Sequence, residues 1–180
     1  GIATPFSDND GSSFDVLPGK SGSGALGTLS RQALQQLRHG LTETALQYDN
    51  ILLDLAAGID PAVTILSNHA GKIIVVMTAD PTSLTDAYAF IKVTTMQNPS
   101  ADIGIVVNNV ASKKDGERAY NAIKRACEGF LKISPPLTGI IRSDTKVVDS
   151  IRAQVPILTR HPNSDAATDV KALAATLMSG

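Results

Sequence analysis

Apolar residues in this chain follow two periods. Four short runs, Asn50–Leu55, Lys72–Thr78, Asp102–Asn109 and Leu137–Ile141, are largely unbroken and do not alternate, which is the pattern of strands buried on both faces of a parallel sheet. Between and after them apolar residues recur at steps of three and four, the period of an amphipathic helix. The first such stretch runs from about Leu26 to Gln47 with Leu26, Leu29, Ala33, Leu37 and Leu41 in one stripe, weakened locally by Gly40. A short helix is expected over Pro61–His69. Another starts at Asp80 with Pro81 in its first turn, turns Leu84, Tyr88, Ile91 and Thr95 inward, and stops at Asn98-Pro99. A helix from about Lys114 to Leu131 uses Ala119, Ile123, Ala126, Cys127 and Phe130; Asp144–Arg152 is a shorter one; Ser164–Met178 closes the chain with Val170, Leu173, Ala174 and Leu177. Phe14–Leu17 and Val155–Leu158 read as short strands, the second at a sheet edge. Gly1–Ser13, rich in Ser, Asp, Gly and Asn, reads as a flexible terminus. Strands and helices in alternation imply an α/β fold, a mainly parallel sheet with helices on both faces and right-handed crossovers, in one domain over residues 14–180.

Composition narrows the function classes. A length of 180 residues suits one domain, and 43% apolar with 18% charged residues is ordinary for a globular protein. The net charge is -1 and no run of Lys or Arg occurs, so no nucleic-acid partner is indicated. No apolar stretch approaches the roughly 20 residues of a membrane span, and no basic segment followed by an apolar one opens the chain; a cytoplasmic location is expected. Cys127 is the single cysteine and reads as a buried thiol.

The candidate chemistry lies at strand ends. Asp54 ends the run Asn50–Leu55 and is followed by Ala56, Ala57 and Gly58. In open α/β sheets ligands bind outside the carboxyl ends of the strands, so such a carboxylate is placed to hold a metal or its water, and the glycine permits close approach of a phosphate. That is a Walker B arrangement, beside the plainer alternative of an Asp that caps its own loop. Asn108 and Asn109 end another strand, where an amide offers a heterocyclic base both a donor and an acceptor, or else satisfies its own turn. A Walker A loop over Gly19-Lys20-Ser21 fails on spacing, because Phe14 stands where its first glycine belongs. The segment from Gly22 to Gly27 fits the G-x-G-x-x-G turn between a strand and a helix, but no ribose-binding acid follows at the end of a second strand. His39, His69 and His161 are scattered without ligand spacing, so neither a metal cluster nor a Ser-His-Asp triad is expected.

The order of these motifs says more than any one of them. DNILLDLAAGI (49–59), TADPTSLTDAYAFIK (78–92), IVVNNV (105–110), GIIRSD (139–144), Pro156 and HPNS (161–164) together resemble the MinD/ParA superfamily of P-loop ATPases, with the greatest likeness to its flagellar-number branch, FlhG/FleN. The likeness runs from about Val16 to the end. It implies a SIMIBI-type P-loop fold, N-terminally incomplete here because the family's first strand and two-lysine Walker A loop do not appear in these residues. It also implies ATP/ADP and Mg²⁺ as cofactors of the complete protein. Asp54 would act through the magnesium shell, Ala57 and Gly58 would sense the γ-phosphate, and Asn108 would read adenine, with Asn109, Arg142 and Asp144 on the base side. Arg142 stands where relatives often carry Pro.

By the same resemblance the complete protein is a nucleotide-switched regulator of the placement or number of a cell-envelope machine such as the flagellum. The alternative is a degenerate, non-hydrolysing interaction module on the same fold. Relatives sandwich ATP between two subunits, which would put Ala57–Asp60, Asp80–Ser83 and the loop after Asn109 at a homodimer face; a flagellar or division-site protein is the expected further partner. Peripheral attachment at the inner membrane is a family property, but the terminal helix lacks a clear basic and bulky-apolar face beyond Lys171. For these 180 residues taken alone, no ATP-dependent dimer is expected. The family's missing strand belongs between the Asp54 strand and Lys72–Thr78. Leaving that slot open would orphan buried N–H and C=O groups at about 1–3 kcal/mol each, so either the two strands pair directly or a swapped segment such as Gly1–Phe6 fills it.

Overall fold

The computed structural model describes residues 4–7, 13–17, 29–69 and 71–179. The glycine-rich turn from Gly22 to Gly27 and Lys20 lie outside them. The elements in chain order are β1 (Thr4–Ser7), β2 (Ser13–Val16), α1 (Arg31–Ala45), α2 (Pro61–Ser67), β3 (Ile73–Met77), α3 (Pro81–Gln97), β4 (Ile103–Val110), α4 (Lys113–Ala126), a π-helical turn (Cys127–Leu131), β5 (Leu137–Arg142), α5 (Thr145–Ala153), α6 (Ile157–Arg160) and α7 (Asp165–Met178).

The centre is a parallel sheet in the order β3-β4-β5, with Ile73 opposite Ile103 and Met77 opposite Val107. Strand β4, in the middle, is buried on both faces, as its unbroken Ile-Gly-Ile-Val-Val run requires. On one face Val75, Met77, Ile105 and Val107 form a single cluster with Ile91 of α3 and Ile123 of α4. Helix α7 packs against β5 from the other side, where a Cβ on Gly139 would come within 3.1 Å of Leu173. The fold is therefore α/β with a parallel sheet and helices on both of its faces, as expected.

Local chemistry explains where the helices start. Asp80-Pro81 places a proline in the first turn, where its missing N–H is no loss. The Thr78 N–H donates to Ser83 Oγ at 2.9 Å and the Thr78 hydroxyl to Asp80 Oδ2 at 2.7 Å, locking the end of β3 to the start of α3. Ser112, Asp144 and Ser164 are N-caps whose side chains accept backbone N–H groups of the first turns of α4, α5 and α7.

Five expectations are corrected. Asn50–Leu55 joins no ladder: Ile51 and Leu52 are exposed, Leu52 at 92%, and β3 has β4 as its one strand neighbour among the described residues. Neither direct pairing of that run with β3 nor a strand inserted from residues 1–6 is seen, because Thr4–Ser7 pairs antiparallel with Ser13–Val16 instead. The apolar run is of the right kind, but a strand is completed by hydrogen bonds to a neighbour, and none of the described strands lies beside it. The same hairpin puts a strand where Gly1–Ser13 reads as loop. Val155–Leu158 is not an edge strand: Pro156 opens the short helix α6. Phe130 is 80% exposed rather than inward, because the π-helical turn carries the inward position on from Cys127 to Leu131.

Two glycines should respond in opposite directions to Ala. A Cβ on Gly116, buried in α4, would stand 2.5 Å from Ile140 Cγ2, whereas nothing lies within 4 Å of one on Gly40 in α1. Gly40→Ala is expected to raise the unfolding free energy by up to about 1 kcal/mol through helix propensity. For Gly116→Ala the overpacking cost of about 1–3 kcal/mol offsets that gain and leaves a net loss. Urea denaturation of both variants checks the signs; two changes of equal sign would contradict the close α4–β5 approach.

Candidate functional site

The carboxyl ends of β4 and β5 meet at a rim that carries four of the expected site residues. The β4–β5 register shifts between Val107 and Val110, where Asn108 and Asn109 sit, and resumes at Val110 opposite Arg142. Asn109 adopts a left-handed φ of 58°, a conformation an Asn tolerates, and its N–H donates to Asn108 Oδ1 at 2.9 Å. The local turn thus engages the Asn108 oxygen once, and the NH₂ group and second lone pair stay available for a ligand.

Arg142 is held rather than free. Its Nε and Nη2 donate to Asp169 Oδ2 and Oδ1 at 2.9 and 3.1 Å, its backbone N–H donates to Oδ2 at 3.0 Å, and Nη1 lies 2.7 Å from Asp165 Oδ1. Lys113 Nζ also reaches Asp169 Oδ1 at 2.7 Å and the Ile140 carbonyl at 3.2 Å. The Asp169 side chain is only 3% exposed. Burial pushes its carboxyl up, but the hydrogen bonds from Arg142 and Lys113 outweigh that and hold it at about 2. Sequence reading missed Asp169, although its spacing of four from Asp165 on a helix that faces Arg142 was a signal that could have found it.

Asp144 caps α5 and also reaches α7: its carboxylate accepts from the Lys146 N–H at 2.9 Å and the Ala166 N–H at 3.3 Å. These bonds lower its pKa, the Lys146 N–H contributing most. Asp144 lines a cleft of about 490 Å³ with Lys146, Arg160 and His161–Ser164. The two tail segments singled out in the sequence, 139–144 and 161–164, are therefore brought together. Behind them Asp149 accepts from Arg160 Nε at 2.7 Å and lies 2.6 Å from His161 Nε2, which drives its carboxyl far below the usual carboxylate range.

Asp54, Ala57 and Gly58 lie in an exposed segment ahead of α2. Gly58 has φ +125° with open space where a Cβ would project, so its glycine character is required by the backbone. The donor set suits a hydrated Mg²⁺ better than a caged metal: no group of three or more His, Cys, Asp or Glu is gathered among the described residues. Mg²⁺ commonly takes one or two carboxylates, waters and substrate phosphates, and exposed Asp54 matches that requirement in kind.

Over 159 residues the chain is 26% identical to the antiactivator FleN of Pseudomonas aeruginosa, covering 88% of this chain and 57% of FleN. Over 168 residues it is 26% identical to the flagellum site-determining protein YlxH of Helicobacter pylori, covering 91% and 55%. It superposes on MinD in the MinC:MinD cell division complex of Aquifex aeolicus with a TM-score of 0.74 at 22% identity, over 98% of this chain and 67% of that one. MinD of Pyrococcus horikoshii, complexed with Mg-ADP, matches with a TM-score of 0.64 at 20% identity, over 80% and 56%. In sequence the chain is similar to FleN and YlxH, and in fold to MinD and a ParA-family ATPase. No family model matches it. It spans about half the length of the curated relatives it matches. Among the described residues no helix is long and apolar enough to cross a membrane.

The Asp169 network gives a pH signature. The folded carboxyl titrates at about 2 against the usual 3.8, so its contribution is fully present above the unfolded value and is lost as pH falls through the folded one. Such a shift corresponds to about 2 kcal/mol. Asp169→Asn is expected to cost about 2–3 kcal/mol at pH 7, since it removes the charge that Arg142 and Lys113 share while Arg142 keeps Asp165, and to flatten the decline of stability between about pH 4 and 2. Urea titrations across that range check both; an unchanged acid slope would remove Asp169 as its source.

Proposed function

We propose that these residues form part of a MinD/FlhG-like ATPase, a nucleotide-switched regulator of the placement or number of a cell-envelope machine such as the flagellum. The observation that carries this reading is the ordered motif set, from DNILLDLAAGI at 49–59 through PTSLTDAY at 81–88 to IVVNNV at 105–110, in a chain related to FleN and YlxH. Asp54 is the residue that would act through the Mg²⁺ shell when the ion is bound. Ala57 and Gly58 follow the γ-phosphate, the open positive-φ backbone at Gly58 allowing that loop to come close. Asn108 reads the adenine through its free NH₂ group. Asn109 shapes that turn, while Arg142 and Asp144 fix the rim: Arg142 acts through Asp169, and Asp144 ties α5 to the start of α7. Bound Mg²⁺ supplies neutralisation of phosphate charge, as in P-loop ATPases generally. In the whole protein ATP closes a homodimer through Ala57–Asp60, Asp80–Ser83 and the loop after Asn109, and a flagellar or division-site protein reads that state.

The test is calorimetry and turnover on the full-length protein and its Asp54→Ala variant. Mg²⁺-ATP is expected to bind the parent, with Mg²⁺-dependent turnover falling about 10–100-fold in the variant, the range seen when a residue supporting a metal shell is lost. Equal turnover in the two would remove Asp54 from the role assigned to it. A parent that binds no nucleotide would favour the non-hydrolysing interaction module.

A further inference from the structure

A second cleft, of about 520 Å³, opens between α1, α2 and α3, away from the β4–β5 rim. One wall is the face of α1 made by Arg31, Gln35 and Arg38, spaced i, i+4 and i+7 and so on one side of the helix. All three are exposed. Neither guanidinium has an ion-pair partner among the described residues, and no carboxylate lines the cleft. The opposite wall is apolar, formed by Ile59, Pro61, Ile65 and Val93. At the floor Asn68 donates through Nδ2 to Gln97 Oε1 at 2.7 Å, while its own Oδ1 is buried with no hydrogen bond among the described residues.

These features point to one class of ligand. Two cations with no ion-pair partner among the described residues call for negative charge, and an apolar wall facing them is foreign to a phosphate backbone or a free inorganic anion. Arg31 and Arg38 are about 10 Å apart along α1, from seven residues at 1.5 Å each. In a polyproline-II chain residues i and i+3 point the same way and are about 9 Å apart.

We propose that this cleft docks an acidic, extended segment of a partner protein, with two carboxylates three residues apart on Arg31 and Arg38 and apolar side chains between them against Ile65 and Val93. Ile59 of this wall also belongs to the segment assigned to the homodimer face, but Arg31, Arg38, Ile65 and Val93, which carry the proposal, take no part in the nucleotide site.

The experiment is a fluorescence-polarisation titration of the full-length protein with a fluorescein-labelled peptide of core Glu-Pro-Leu-Glu in a Gly/Ser flank. A saturable isotherm at low salt is expected, weakened about tenfold by Arg31→Glu and again by Arg38→Glu, the scale of losing one charged hydrogen bond. Arg31→Gln and Arg38→Gln give the same reading if charge reversal disturbs α1. The permuted core Glu-Glu-Pro-Leu should bind more weakly by a similar factor. The proposal is overturned if the peptide does not bind, if the arginine variants bind it as well as the parent, if the permuted core binds equally, or if inorganic phosphate or a short RNA displaces it at equal concentration.

Discussion

The buried carboxylate of Asp169 is the interaction on which the rest of the carboxyl-end rim depends. It sits on α7 yet takes the guanidinium and backbone N–H of Arg142 from the end of β5, and the ammonium of Lys113 from the first turn of α4. Three elements distant in sequence are thereby fixed to one point. A carboxylate this deep is costly to dehydrate and stays charged only because its oxygens are supplied with donors. Arg142 is in turn committed, so it works as a strut under the rim. With α7 set in this way, the Ala166 N–H comes within reach of Asp144, which draws together the two tail segments bordering the cleft.

The other side of the sheet is built differently. Strand β3 is covered on one face by α3, but Val76 on its opposite face is 60% exposed, and the apolar residues Ile51 and Leu52 are likewise open to water. Among the described residues β3 is paired along one edge alone, and an apolar strand of that kind invites another. The packing of this molecule is thus polarised, dense where β4, α4 and α7 converge on β5 and thin around β3 and the Asp54 segment.

That polarity also separates what was legible in the sequence from what was not. Strands β3, β4 and β5 were readable because each is an unbroken apolar run with a partner to complete it, and their helices because Pro81, Ser112, Asp144 and Ser164 mark the starts. The run Asn50–Leu55 has the same composition but no described ladder, since periodicity reports a residue's preference for burial and cannot report whether a neighbour is present. Among site residues, the placement of Asn108 and Asn109 at a strand end was legible from the run they terminate. The commitment of Arg142 to Asp169 was not, because a long-range ion pair leaves no local pattern and an aspartate within a helical stripe reads as a solvated position.

The π-helical turn at Cys127–Leu131 carries a consequence of its own. A turn of this kind holds one residue more than an α-helical turn, and each helical residue turns the chain through about 100°. The surplus residue works as a phase shifter: it keeps Cys127 and Leu131 on the core side, displaces the aromatic ring of Phe130 to the outside, and delivers the chain to Lys132, whose left-handed φ of 60° ends the helix. Two hydrophobic side chains that compete for the same inward azimuth are thereby sorted by winding alone, and the larger is left on the surface.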